Sequence, residues 1–249
     1  NANAVTANQT NPFNDGSQIA QYEFEDNADD SQPNGYIGKG GTFNGSSASI
    51  TLPNSVGNFS NTSISTWFYL NTTSGTQTII EFDYYNRILF RATSTDANFA
   101  YIGNSGYFNH GITFAANQWY NLVITFSNGN PFKIYVNGAL EYTGGNTSIF
   151  ANSVDNILGS GNPSGGDSLN GQLDQVRIYD TALNPNDVWL LYSETSATSS
   201  TLDYPASTGA QALYELEGNA DDTGGTYNGT DTAVAWVPLY DGTPTSMTY

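Results

Sequence analysis

Two clusters in this chain combine aromatic rings with amides or a cation: Tyr84, Tyr85, Asn86 and Arg87, and Tyr107, Phe108, Asn109 and His110. Rings pack on apolar faces while amides and guanidinium groups exchange hydrogen bonds with hydroxyls, which is the chemistry of sugar recognition. Rings at strand ends also close hydrophobic cores, so a structural reading of both clusters stands beside this one. His110 is the single histidine and there is no cysteine. Thiol catalysis, disulfides and zinc–thiolate sites are therefore excluded, and a Ser-His-Asp triad would have to use His110. Its neighbours, Tyr107-Phe-Asn-His-Gly111, offer no nucleophile, so it reads as a loop histidine. Asp174 shares strand parity with Val176 and Ile178, which points it toward the sandwich interior or its rim. An inward carboxylate is costly unless a cation or hydrogen-bond donors compensate it.

The elements that position these groups are short and alternating. Ile64, Thr66, Phe68 and Leu70 share one strand face, and Tyr120, Leu122, Ile124 and Phe126 alternate in the same way. Phe132, Ile134 and Val136 lead into Asn137-Gly138, a dipeptide suited to the positive φ angles of a two-residue hairpin. Leu140 and Tyr142 continue the return strand. Turn residues separate these segments at the spacing of a β-sandwich. The exception is Ala182–Tyr192, where Asn184 can cap, Pro185 suits the first helical position and Asp187 favours the first turn. One short helix is expected there.

Composition narrows the partners. The chain has 249 residues, 23 acidic against five basic, and a net charge of −18. Nucleic acid is excluded as a partner, because phosphate binding needs lysine and arginine, and an anionic membrane surface is disfavoured for the same reason. No apolar run approaches the roughly 18 residues that would span a bilayer, so no membrane insertion is expected. The acidic balance suits solubility and cation binding.

The chain also repeats itself. Tyr22-Glu-Phe-Glu-Asp-Asn-Ala-Asp-Asp30 returns as Tyr214-Glu-Leu-Glu-Gly-Asn-Ala-Asp-Asp222, with seven of nine residues identical. The expected organisation is an arm over residues 1–17, a sandwich domain over 18–194, a Ser/Thr-rich linker over 195–211 and the opening of a second repeat over 212–249. So short a second piece cannot bury Tyr214, Leu216, Trp236, Val237, Leu239 and Tyr240 alone. It would pair with a neighbouring subunit, fold back on the first module, or belong to a longer parent chain.

Three segments form an ordered series: Trp119–Phe126, Lys133-Ile-Tyr-Val-Asn-Gly138 and Gly171-Gln-Leu-Asp-Gln-Val-Arg-Ile-Tyr-Asp-Thr-Ala-Leu183. The series resembles the laminin-G-like, concanavalin A-like lectin/glucanase superfamily, as do the opening Tyr22–Asp30 and Thr42–Ile50. The resemblance implies an all-β, antiparallel two-sheet jelly roll with one short C-terminal helix. The lead-in Asn11–Ser17 and the Asn/Thr-rich style are similar to modules in structural proteins of marine bacteriophages.

The resemblance further implies a structural Ca²⁺ held by Asp174, with ligands drawn from Glu25, Asp29 or Asp30 and a carbonyl near Gly45. Hard oxygen donors suit Ca²⁺ over a transition metal. The alternative is that Asp174 accepts backbone N–H groups, and turn chemistry explains the Asn-Ala-Asp-Asp motif nearly as well. Some glucanases of the superfold carry E-x-D-x-x-E on one strand. Here Glu81-Phe-Asp-Tyr-Tyr-Asn86 puts an amide at the third position, which cannot protonate a leaving oxygen, so no catalytic residues are assigned. The reading that follows is a non-enzymatic recognition or adhesion module that takes a glycan or cell-surface polysaccharide. It is expected to be extracellular or on a virion surface, as a fibre or decoration protein or in a secreted assembly. The alternative is a structural decoration or filament subunit assembling with neighbouring subunits through residues 213–249, and a glycoside hydrolase comes third.

Overall fold

A computed structural model describes residues 39–57, 60–82, 88–93, 99–102, 107–146, 156–161, 167–194 and 201–238. Within them two antiparallel sheets pack face to face, as the jelly-roll resemblance implies. The first sheet runs β10 (Ala139–Asn146), β9 (Pro131–Val136), β8 (Trp119–Ser127), β3 (Asn61–Leu70), β12 (Asn170–Tyr179), β1 (Lys39–Asn44) and β15 (Ala235–Pro238). A further strand, β13 (Ala212–Tyr214), also pairs with β12. The second sheet runs β14 (Thr230–Thr232), β2 (Ser49–Leu52), β11 (Asn156–Leu158), β4 (Gln77–Phe82), β5 (Ile88–Thr93), β6 (Phe99–Ile102) and β7 (Tyr107–Asn109).

The alternation read from the sequence is what builds the core. Ile64, Phe68 and Leu70 of β3 and Leu122, Ile124 and Phe126 of β8 face Ile50, Ile80, Phe82 and Phe90 of the opposite sheet. Phe114 sets its edge against Phe68 and Tyr120 at centroid distances of 5.1 and 4.9 Å, the T-shaped geometry that aromatic quadrupoles favour.

The β9–β10 hairpin turns at Asn137 and Gly138, with φ of +50° and +77°. A Cβ on Gly138 would lie 2.9 Å from the Trp189 ring. Gly138→Ala therefore combines a left-handed backbone with a clash, and about 1–2 kcal/mol of stability should be lost in urea unfolding.

The helix α1 (Pro185–Tyr192) forms where its signals placed it. Asn184 caps it by accepting from the N–H groups of Asn186 and Asp187, and Asp187 closes a capping box. Val188 and Leu191 press onto the outer face of the first sheet, against Val123, Tyr135 and Tyr179. The described part of the expected linker, residues 201–211, packs there too: Leu202, Tyr204 and Ala210 join this second cluster.

The C-terminal stretch expected to open a second repeat adds strands to the same two sheets. β13 lies beside β12, β14 extends β2 and β15 extends β1. Of the three fates that the sequence left open, the structure shows the second, a fold-back onto the first module.

One strand departs from simple alternation. Gln175 has φ of +48°, and the pairing of β12 with β3 shifts between Asp174 and Arg177. This bulge flips the side-chain parity. Leu173, Val176 and Ile178 consequently share the core face, and Asp174 lies on the opposite face, in register with Trp67. The inward parity expected for Asp174 is thus corrected, because alternation cannot anticipate a left-handed residue at a glutamine.

Candidate glycan-binding face

The second sheet carries the candidate site at one end. β7 is its edge strand. Phe108 turns inward and stacks near Phe132 and Tyr142, with both centroids at 5.0 Å. Alternation then sends Tyr107 and Asn109 to the outer face, where Tyr107 is 55% exposed. Asn109 is exposed as well, and its Oδ1 accepts the Gly111 N–H at 2.8 Å. Of the second sequence cluster, these two side chains are the exposed ones.

His110 does not, and this corrects its assignment as a ligand contact. It is buried and stacks on Phe90 at 4.9 Å. Its Nδ1 accepts the Ile112 N–H at 3.1 Å, which leaves Nε2 to donate to the Arg91 carbonyl at 3.0 Å. Both ring nitrogens are spent on the chain's own backbone, as suits a neutral imidazole. Desolvation outweighs the Arg91 hydrogen bond and holds its pKa below 6.5. Since the unfolded chain binds this proton more readily, the His110 contribution to stability is complete above pH 6.5 and is lost as pH falls through the lower folded pKa. An NMR titration should place its midpoint below 6.5.

Across β6 and β5 from this edge, at the start of β4, lies a polar cleft of about 330 Å³. Three loops build it: Asn44 and Gly45 after β1, Thr72–Gln77 before β4, and Asp167–Asn170 before β12. Gln77 ties the second and third together from a buried position. Its Nε2 donates to the carbonyls of Thr72 and Ser74, both at 3.1 Å, and its Oε1 accepts the Asn170 N–H at 2.7 Å. Asn71 Nδ2 donates to Asn170 Oδ1 at 2.9 Å. Asp167 on the rim pairs with Arg91 of β5.

Arg91 links the cleft to the edge strand. Phe90, Ala100 and Phe108 are register partners across β5, β6 and β7. Arg91 and Asn109 therefore fall in one row on the outer face, two strand spacings apart, or roughly 10 Å. Tyr107, Asn109, Arg91 and the Asp167–Asn170 rim form a strip that pairs one exposed ring with amides, hydroxyls and a guanidinium. Nothing in the sequence marked the cleft: its residues come from three loops of common Asn, Ser and Thr, and register alone unites them. Tyr84, Tyr85, Asn86 and Arg87 lie outside the described residues.

Glu81 stands elsewhere on this sheet. Thr51, Ile157, Glu81, Leu89, Tyr101 and Tyr107 are successive register partners from β2 to β7. Glu81 is fully buried at the middle of this row, whereas Tyr107 at its end is exposed. The strand thus presents no accessible carboxylate at Glu81.

Of the expected calcium ligands, the two that are described, Gly45 and Asp174, lie apart. Gly45 donates its N–H to the Leu169 carbonyl at 2.8 Å, five residues before Asp174 on β12, which is roughly 16 Å along a strand. Asp174 Oδ1 accepts the Gln175 N–H at 2.9 Å. Glu25, Asp29 and Asp30 lie outside the described residues, and among the described residues no group of three acidic or histidine side chains could hold a metal ion. Asp222, the sequence twin of Asp30, accepts four backbone N–H groups: Leu213 and Gly224 on Oδ1, Thr226 and Tyr227 on Oδ2, at 3.0–3.1 Å. In this copy the motif is turn chemistry of the Asx kind. Chelation with EDTA should leave the melting temperature unchanged; a fall that Asp174→Asn abolishes would restore the calcium reading.

Comparison with known proteins agrees with this architecture. The family model Laminin_G_3, described as the concanavalin A-like lectin/glucanases superfamily, matches residues 44–189. A search of curated protein sequences found no match. Among solved structures, a "putative carbohydrate binding protein" from Bacteroides ovatus superposes with a TM-score of 0.61 at 20% identity, over 82% of this chain and 60% of its own. The chain thus spans somewhat less than two thirds of that protein, and the likeness shows the fold. Domain 4 of AbnA, a GH43 extracellular arabinanase from Geobacillus stearothermophilus, in complex with arabinotriose, superposes with a TM-score of 0.52 at 25% identity, covering 65% of this chain and 79% of its own. With its jelly-roll order and a family match over more than half its length, the chain belongs to the concanavalin A-like lectin/glucanase superfamily.

Proposed function

We propose that this protein is a non-enzymatic glycan-binding module whose ligand lies along the strip from Tyr107 and Asn109 to the Asp167–Asn170 cleft. The observation that carries this reading is the exposed Tyr107 ring on an edge strand, in line with a preorganised polar cleft. A sugar chain matches such a strip, with a ring face on the tyrosine and hydroxyls on the amides and Arg91. The likeness to an arabinanase domain that binds arabinotriose supports a polysaccharide ligand and an extracellular setting. No described helix is long and apolar enough to cross a membrane. The similarity of its Asn/Thr-rich style to modules of marine bacteriophage structural proteins supports a virion surface or a secreted assembly as the setting. The amide at position 86 and the buried Glu81 support recognition over hydrolysis.

A glycan array that includes arabino-oligosaccharides, read with and without EDTA, tests this. Binding to a defined class that persists in EDTA is expected. Absence of binding at high protein concentration under both conditions would refute the reading.

A further inference from the structure

The edge of β12 receives two strands in line. β1 pairs with it from Gly41↔Leu173 to Asn44↔Asn170, and β13 from Ala212↔Ile178 to Val176↔Tyr214. Both run antiparallel to β12, so they follow one another in the same direction along one edge, with the Gln175 bulge between them. The place held by β13 is therefore the place from which a strand preceding β1 would arrive.

The chain carries a second copy of the β13 sequence. Aligned with Ala212–Asp222, the segment Ala20–Asp30 matches the positions that make the fit. Ala212, Tyr214, Leu216, Ala220 and Asp222 are all buried, and their counterparts are Ala20, Tyr22, Phe24, Ala28 and Asp30. Tyr214 donates its hydroxyl to the Tyr227 carbonyl at 2.6 Å, and Asp222 gathers the turn. Sixteen residues (23–38) separate Tyr22 from Lys39. Since β1 resumes the same edge about one strand residue past the Tyr214 register, that length closes the loop without strain.

We propose that the Val176–Ile178 edge of β12 is a strand-exchange site, for which Ala20–Asp30 competes with Ala212–Asp222 of the same chain. Two differences rank the occupants. Leu213 is buried where the other copy has Gln21, and Gly218 has φ of +116° where the other copy has Asp26. Both favour the C-terminal copy, which also seats β14 and β15 on the free edges of β2 and β1. The N-terminal copy is the weaker occupant, held in reserve, and exchange would release residues 212–238 as a free strand donor.

The full chain with Tyr22→Ala, Tyr214→Ala and both together tests the exchange by thermal unfolding. Tyr22→Ala should be silent alone, because Ala212–Tyr214 holds the slot. It should lower the melting temperature by roughly 5–10 °C in the Tyr214→Ala background, where its copy has taken the slot. If Tyr22→Ala changes nothing in that background, or if Tyr214→Ala alone leaves no folded protein, the proposal fails. The chain has no cysteine, so Ala20→Cys with Ile178→Cys, placed on Tyr214→Ala, gives a second readout. A disulfide within one molecule is expected on oxidation. None, or one formed only between molecules, overturns exchange within the chain.

Discussion

Replacing Glu194 by alanine is expected to lower stability by about 3–5 kcal/mol, a drop in melting temperature on the order of 10 °C. Glu194 follows α1 and is buried with the guanidinium of Arg177, whose Nη1 lies 3.0 Å from Oε1 and 2.8 Å from Oε2. Arg177 is the largest fully buried side chain among the described residues, and it cannot discharge itself by losing a proton. Removing the carboxylate leaves that cation in a low dielectric, next to the Tyr204 ring at 5.8 Å. Glu194→Gln keeps an acceptor oxygen and should cost clearly less. Equal losses for alanine and glutamine would show that the pairing matters less than the packing.

The same site sets a pH dependence. Desolvation outweighs the pull of Arg177 and Trp67 and pushes the Glu194 carboxyl up to about 7 from its usual 4.5. The folded state therefore binds this proton more readily than the unfolded chain does. The Glu194 contribution is greatest below pH 4.5 and declines as pH rises toward 7, opposite in direction to that of His110. Comparing stability against pH for the parent and Glu194→Gln isolates it, and identical profiles would contradict the assignment.

The second large effect is expected on binding. Tyr107→Ala removes the exposed ring of the strip while leaving the core untouched, because Phe108 and not Tyr107 packs inward. Affinity for the glycan should fall by roughly 30-fold or more, as for truncation of an aromatic hot spot worth about 2 kcal/mol. The melting temperature should hardly move. Tyr107→Trp should retain binding, since a larger flat ring offers the same face. A Tyr107→Ala variant that binds as tightly as the parent would place the ligand elsewhere.

Much of the fold could be read from the residues because its signals are local. Alternation in β3, β8 and β9, the Asn137-Gly138 turn and the capped helix at Asn184 each depend on a few neighbours, and each forms as expected. Asp174 escaped because its orientation depends on a left-handed Gln175, a residue type that carries no mark of positive φ. The Arg177–Glu194 pair escaped for a different reason: it joins a strand to the end of a helix through tertiary packing that periodicity does not encode. The repeated Tyr-Glu motif was visible at once, yet its consequence was not. Only the register shows β13 lying on the same β12 edge as β1.

The candidate site divides in the same way. Tyr107 and Asn109 were found from residue type, and strand parity then separated them from Phe108 and His110. The cleft was invisible, since Asn44, Gln77, Asp167 and Asn170 come from loops far apart in a chain rich in such residues. What unites them is strand register, with the buried amide of Gln77 tying Thr72 and Ser74 to Asn170.

Backbone amide NMR during titration with the best array ligand tests the central claim most directly. Shifts should concentrate at Tyr107, Asn109, Arg91 and the Asp167–Asn170 rim, with no change around α1 and Leu202–Ala210. Shifts confined to the α1 face, or none at saturating ligand, would contradict it.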